Sequence, residues 1–333
     1  MLTYLARRAA LGMLTIWAIS LLSFVIIQLP PGDFVTTYIA QLGQTATGSS
    51  LEEAQALRRA YGLDRPLLVQ YATWISRVAR GDLGMSLNWK RPVVDVIGDR
   101  IWLTMVVSIA AMVFTWLLAL PIGIYSAVRR YTLADHLFTF VGFVGVAVPS
   151  FLLALLVMYV GLVIFGADVG GLFSPELAHA PWGWAKFKDL LLHLPLPAAV
   201  LALGGTAQLF RIMRANLLDE LQKPYVLTAR AKGLSEPRLL LKYPVRVALN
   251  PFASSIGFLF PQIVSGSVIV SMVLSLPTVG PLLLDALHAQ DMFLAGAIVL
   301  LLGILTVLGT LISDLVLMWL DPRIRHAGRG SVR

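Results

Sequence analysis

Six apolar stretches, most of them near or above the roughly 20 residues a helix needs to cross a bilayer, constrain this 333-residue chain more than any other feature. They fall at about Ala9–Leu29, Ile101–Val128, Leu137–Phe165, Leu190–Leu209, Pro251–Leu276 and Met292–Leu320. Hydrophobic residues make up 58% of the chain and charged residues 13%, with a mean hydropathy of +0.80. A water-soluble domain needs more polar surface than this, so lipid is the solvent the composition selects. The first stretch follows Arg7 and Arg8 and has too long a core for a signal peptide. It ends at Pro30-Pro31-Gly32-Asp33 without a small-residue cleavage site, which makes it a retained helix. The fourth is weaker, with His193, Pro195 and Pro197 near its start, and Pro121 and Pro149 predict kinks in the second and third. The expected fold is an all-α polytopic membrane protein with about six transmembrane helices.

The charge pattern orients those helices. The net charge of +8 would suit nucleic acid or anionic lipid, but the basic residues cluster in particular loops between spans. Arg7 and Arg8, Arg129 and Arg130, eight basic residues from Arg211 to Arg246, and Arg323, Arg325, Arg329 and Arg333 fall on one side. The opposite loop from Pro277 to Asp291 has no Lys or Arg and carries Asp285 and Asp291, while the loop from Gly166 to Asp189 has only Lys186 and Lys188. The positive-inside rule then places both termini in the cytoplasm. The organisation expected is a cytoplasmic end and first span over 1–30, an extracytoplasmic helical loop over 31–100, a transmembrane domain over 101–320 with a basic loop at 222–246, and a cytoplasmic tail over 321–333. There are no cysteines, which excludes a disulfide scaffold, a thiolate metal site and a cysteine nucleophile.

The 31–100 loop carries helix signals. Ser50-Leu51-Glu52-Glu53 is a capping box, with Leu51, Ala54, Leu57 and Tyr61 on one face and Gly62 as a stop. A second helix is predicted from Pro66, with Leu67, Tyr71, Trp74, Ile75 and Val78 along one side and Gly81 at its end. Such a pair rests on the membrane surface or on the protein's own spans, or it forms a platform for an extracytoplasmic partner.

The basic segment from Pro224 to Arg246 has more structure than a connector requires. Pro224 suits a first helical turn, and Tyr225 to Lys232 contain no breaker. Gly233 can adopt the left-handed conformation that closes a helix, and Ser235 can cap a second one running through Glu236 and Pro237 toward Leu241. The product is helix, glycine turn, helix: a rigid elbow. The plain alternative is a positive loop that only anchors topology.

Leu227-Thr228-Ala229-Arg230-Ala231-Lys232-Gly233 resembles the cytoplasmic "EAA" loop of binding-protein-dependent ABC importer permeases, in the variant of the dipeptide, oligopeptide and nickel branch. The resemblance covers nearly the whole chain. Pro31-Gly32-Asp33, Tyr61-Gly62-Leu63-Asp64-Arg65-Pro66, Gly81-Asp82-Leu83-Gly84 with Ser86, Arg91-Pro92-Val93, Pro149-Ser150-Phe151 and Leu320-Asp321-Pro322-Arg323-Ile324-Arg325 are all similar to that branch. Together they point to the B-type permease subunit. Leu227 stands where the general loop opens with an acidic residue, and Tyr243-Pro244-Val245-Arg246 departs from its isoleucine-x-leucine-proline element.

The resemblance implies a type I ABC importer fold with a cytoplasmic coupling elbow. It further implies half of a translocation pathway shared with a second homologous permease, in a bacterial or archaeal cytoplasmic (inner) membrane. One or two ABC ATPase subunits would bind ATP and Mg, and an extracytoplasmic solute-binding protein would deliver a di- or oligopeptide, an oligosaccharide or a nickel complex. Ala229, Ala231, Lys232, Gly233 and Leu234 are the expected ATPase-contacting core, with Arg230 and Arg238 as supporting electrostatic contacts. This chain itself has no G-x-x-x-x-G-K-[ST] phosphate loop, no nucleophile elbow and no histidines at metal-ligand spacing, so it is expected to be no enzyme and to bind no cofactor or metal.

Polar residues on apolar spans are the candidates for the pathway. Gln262, Ser265, Gly266, Ser267 and Ser271 lie in the fifth span, where close helix packing is the alternative role. Asp314 in the sixth is an intramembrane carboxylate about two turns from the cytoplasmic end, expected to make a structural bond to a neighbouring helix. The loop from Gly170 to Lys188 brings Trp182 and Trp184, which suit interfacial anchoring or contact with a ligand or binding protein. From another class, an ion-coupled secondary transporter would need internal repeats and mid-membrane ion sites, and the sequence shows neither.

Overall fold

The computed structural model describes residues 2–28, 56, 58–59, 62, 64–166 and 169–320, without the side chains of 2–6, 27, 99, 165 and 258–267. The capping box at Ser50 with most of its helix, the Pro31-Gly32-Asp33 motif and the tail beyond Leu320 lie outside the described residues. The order of elements is α1 (Leu2–Gln28), α2 (Leu67–Val78), β1 (Met85–Ser86), β2 (Arg91–Pro92), α3 (Val93–Val128), α4 (Leu133–Ala147), α5 (Ser150–Phe165), α6 (Pro175–Ala178), α7 (Trp184–His193), α8 (Pro195–Leu221), α9 (Pro224–Ala231), α10 (Glu236–Lys242), α11 (Pro244–Ala248), α12 (Asn250–Val273), α13 (Val279–His288) and α14 (Met292–Leu320). Among the described residues, four spans are long and apolar enough to cross a membrane: Arg7–Ile26, Val93–Val128, Trp184–Leu221 and Met292–Leu320.

The third expected span is broken. Its two halves, Leu133–Ala147 and Ser150–Ile164, meet at 99° rather than forming one kinked helix. Proline disfavours the helical conformation in the residue before it and brings no N–H of its own. Val148 is accordingly extended, with φ −82° and ψ 121°, ahead of Pro149. Pro121 behaves differently and lies inside the unbroken 36-residue α3. The fourth expected span also changes: α8 runs to Leu221, well past Leu209.

The chain forms two compact units, each built from segments distant in sequence. One contains Met105–Pro277 and 308–320. Its core joins Ala119 and Ala127 of α3, Phe210, Met213 and Leu217 of α8, Val245 and Ala248 of α11, and Phe252 of α12. The α8 residues recur at helical spacing and so share one face. Small residues bring the backbones together: a Cβ added to Gly123 would lie 2.7 Å from Met213, and one on Gly142 would lie 2.9 Å from Phe210.

The other unit contains Leu2–Thr104 and Thr278–Val307. Here α2 packs on α1 through Phe24, Tyr71 and Trp74, with ring centroids 5.4 Å (Phe24–Tyr71) and 6.2 Å (Phe24–Trp74) apart. Tyr71 and Ser20 share a hydrogen bond of 2.8 Å. The predicted apolar face of this helix therefore covers one of the protein's own spans, although Leu67 at its start stays exposed. Gly81 follows with φ 84°, leading into the small antiparallel β1–β2 hairpin. Asp291, fully buried, fastens that hairpin to the start of α14: its carboxylate accepts from Ser86 Oγ at 2.6 Å, Asn88 N at 3.0 Å and Leu294 N at 3.1 Å.

Candidate coupling elbow and pathway

The elbow forms as its residues dictate. Pro224 opens α9, where a missing N–H costs nothing. At the other end the Gly233 amide donates to the Arg230 carbonyl at 3.0 Å and the Leu234 amide to that of Ala229 at 3.4 Å. This paired closure requires a left-handed residue, and Gly233 has φ 79°. Ser235 occupies the N-cap position of α10, yet its hydroxyl makes no capping bond. Pro237 at the second helical position has no N–H, which removes one of the two donors such a cap uses.

A small core locks the two helices together. Val226, Ala229 and Leu239 are buried, with Leu234 and Tyr243 packed against them. Across the turn Arg230 Nε reaches Glu236 Oε1 at 2.5 Å and Nη2 reaches Oε2 at 3.1 Å. That partnership holds the Glu236 carboxyl below its ordinary range and raises the Arg230 guanidinium above its own.

The expected contact residues divide by this geometry. Ala231, Lys232, Gly233, Arg230 and Arg238 are exposed on the elbow's surface, and Leu234 is half-buried. Ala229 is only 6% exposed and serves the elbow's own core, a role its small size at an inward helical position explains.

Beyond the elbow, Tyr243 turns the chain into α11 with φ −117° and ψ −81°. Arg246 on that helix donates from Nε to the Leu320 carbonyl at 3.1 Å and from Nη2 to that of Trp319 at 3.4 Å. The last carbonyls of a helix have no partners within it, and a cation there also meets the favourable end of the helix dipole.

Two arginines of the basic cluster that follows Leu209 lie on α8. Arg214 forms a bidentate pair with Asp135 of α4, both contacts at 2.8 Å. Asp135 is buried, and its Oδ2 also accepts from the Tyr131 amide at 2.9 Å while its own amide donates to the Thr132 N-cap hydroxyl at 3.3 Å. The sequence signal was the Thr132-x-x-Asp135 spacing of a capping box, which the charge count alone passes over. Arg211 lies over the Phe143 ring, 5.1 Å from its centroid.

The pathway candidates fare unevenly. Gln262, Ser265 and Ser267 fall within α12, but their side chains lie outside the described residues. Ser271 is 1% exposed, which matches the packing role. Asp314 is half-buried on α14 next to Ser313, whose hydroxyl donates to the Ala253 carbonyl of α12 at 2.8 Å.

The Gly170–Lys188 loop is a built cap. Lys186 is buried and donates from Nζ to the carbonyls of Ala178 and Ala180, at 3.1 and 2.7 Å, beneath the rings of Phe173 and Trp182. Asp189 accepts from the Ser174 amide and hydroxyl, each at 2.7 Å. Trp182 packs against Phe173 and Lys186 yet stays 43% exposed, and Trp184 is 79% exposed.

Comparison with known proteins places this arrangement. Residues 119–326 match the binding-protein-dependent transport system inner membrane component, and residues 1–110 match the N-terminal part of such membrane components. The chain is 34% identical over 328 residues to the oligopeptide transport system permease protein AppB of Bacillus subtilis, covering 98% of this chain and 100% of that one. It is 31% identical over 342 residues to the dipeptide transport system permease protein DppB of Escherichia coli, covering 98% and 99%. With OppB of Mycobacterium tuberculosis, an oligopeptide transport system permease protein, it shares 34% identity over 272 residues, 79% of this chain and 82% of that one. The chain belongs to the family of binding-protein-dependent transport system inner membrane components, as a permease subunit with the type I importer fold.

Proposed function

We propose that this chain forms half of the translocation pathway of an ABC importer for di- or oligopeptides. A second, homologous permease completes the pathway. ATPase subunits bind ATP and Mg and dock on the exposed Ala231–Gly233 turn, and an extracytoplasmic solute-binding protein delivers the peptide. Both termini and the elbow lie on the cytoplasmic side, as the positive loops require. The peptide assignment rests on the similarity to AppB, OppB and DppB.

The observation that carries the mechanism is the rigidity of the elbow and its ties to the spans. The α9–α10 unit has its own buried core and an ion pair across the turn. Arg246, directly downstream, grips the end of α14. ATPase closure applied at the turn moves a stiff lever rather than a pliant loop, and a two-state packing of the spans converts that motion into alternating access.

The test is gentle affinity purification of the tagged protein from native membranes, with the co-purifying chains identified by mass spectrometry. A homologous permease with one or two ATPases is the expected set. Recovery of the chain alone, or as a homo-oligomer, in detergents that keep comparable complexes together would overturn the assignment.

A further inference from the structure

The break between α4 and α5 does more than bend a span. Beside it lies a cavity of about 510 Å³, within the roughly 300–1,000 Å³ range of small-molecule sites. Gly145, Pro149 and Ser150 line it from the break, and Gly204, Gln208 and Arg211 from α8. At Gly204 an added Cβ would meet no heavy atom within 4 Å, so that position leaves open space.

Arg211 gives the cavity its chemistry. It stands ten residues before the end of α8, so about 15 Å along the axis from the elbow. Its contact on α4, Phe143, is likewise ten residues beyond the start of that helix. Both measures set the guanidinium about three helical turns away from the elbow, on the exposed side of α8. Among the described residues it faces an aromatic ring and no carboxylate, unlike Arg214 three residues on, which is fully paired with Asp135. A guanidinium that lines a cavity and meets no carboxylate among the described residues is open to an anionic ligand. Its planar fork suits a carboxylate, and the Gln208 amide and Ser150 hydroxyl add neutral hydrogen-bonding groups at the same cavity.

We infer that this cavity is a transient subsite for the carboxylate of the transported solute, with Arg211 as its cation. The inference builds on the peptide-importer reading, because each peptide carries one free C-terminal carboxylate through the pathway. The site is weak by construction: one charge-assisted contact in a half-open cavity lets the solute leave again, as a pathway requires.

The experiment uses the whole importer in lipid nanodiscs, without the binding protein, and saturation-transfer NMR with two probes, dialanine and dialaninamide. The expected result is a signal from dialanine that falls on the order of tenfold for dialaninamide, the effect of losing one charge-assisted hydrogen bond. Arg211→Gln should lose the dialanine signal by a similar factor, and Arg211→Lys should restore part of it. Equal signals from the two probes, or an unchanged dialanine signal in Arg211→Gln, would overturn the inference. A carboxylate of the second permease could be the partner instead. In that case Arg211→Gln would reduce co-purification of the second permease, which would equally overturn it. ATPase stimulation by the loaded binding protein is followed in parallel. Its presence in the parent importer shows that the importer reading stands whichever way the subsite resolves.

Discussion

Arg246 and Leu320, 74 residues apart in sequence, are joined by a 3.1 Å hydrogen bond from the guanidinium Nε to the backbone carbonyl. The contact links the helix after the elbow to the last turn of α14. It satisfies a carbonyl that has no partner within its helix, and it sets a positive charge at the negative end of the dipole. Ground-state stability gains little from such an exposed contact. On the mechanism proposed above the larger consequence is mechanical, since this contact would pass motion of the elbow to a span.

Replacing Arg246 by Ala is therefore expected to destabilise the protein by no more than about 1 kcal/mol, while solute moved per ATP hydrolysed falls several-fold. Uptake and ATPase activity measured together in proteoliposomes check this. A parallel fall of both, or of neither, would argue against a transmitting role.

Gly233 separates backbone strain from crowding. With φ at 79° and no heavy atom within 4 Å of an added Cβ, a side chain there meets no obstacle but must sit in the left-handed region. Gly233→Val should cost about 1–2 kcal/mol in the turn and abolish uptake at unchanged membrane abundance. Asn tolerates this conformation, so Gly233→Asn should keep most of the activity.

The Arg230–Glu236 pair predicts flat pH behaviour around neutrality. Glu236 is lowered by the hydrogen bond from Arg230, so its contribution is present above the ordinary glutamate range and is lost as pH falls through the depressed value. Arg230 is raised by the same bond, so its contribution is full up to the ordinary arginine range and is lost only above it. Between about pH 5 and pH 9 the elbow should not titrate through this pair. Because both side chains are about half exposed and screened by water, Glu236→Gln should leave uptake within about twofold of the parent. A pH–uptake profile of parent and variant measures both.

Asp135 and Arg214 should behave in the opposite way. Asp135 is 1% exposed and its partner's side chain is about a quarter exposed, so removing one charge strands the other. Asp135→Asn is expected to destabilise the protein by about 3 kcal/mol. Thermal unfolding in detergent reads this as a clear drop in Tm.

These residues also show what a sequence can and cannot reveal. The elbow's two helices and its glycine turn were legible, because proline, glycine and the stretch between them act locally, whereas the missing Ser235 cap and the burial of Ala229 were not. The sixth span was legible at both ends, since a long apolar run defines its own limits. The α4–α5 break was half legible: Pro149 predicts a disturbance, but whether a helix kinks or turns through 99° depends on the packing around it. Arg211 and Arg214 add to the basic cluster, but charge counting reveals neither that they lie on α8 nor that Asp135, 79 residues away, pairs with Arg214. Asp291 was visible only as an acidic loop residue. Its bonds to Ser86 and Asn88 span more than 200 residues, a relation no local pattern encodes.

The central claim, that the elbow is where an ATPase drives this permease, is tested most directly by site-specific crosslinking. The chain has no cysteine, so Lys232→Cys on the exposed turn introduces a unique thiol, and Trp184→Cys on the Gly170–Lys188 cap serves as the control. In membranes containing the active importer, Lys232→Cys should crosslink to an ATPase subunit with a yield that changes on adding ATP, and Trp184→Cys should not. An importer that still transports but gives no ATPase crosslink at 232, or gives one at 184 instead, would contradict the account.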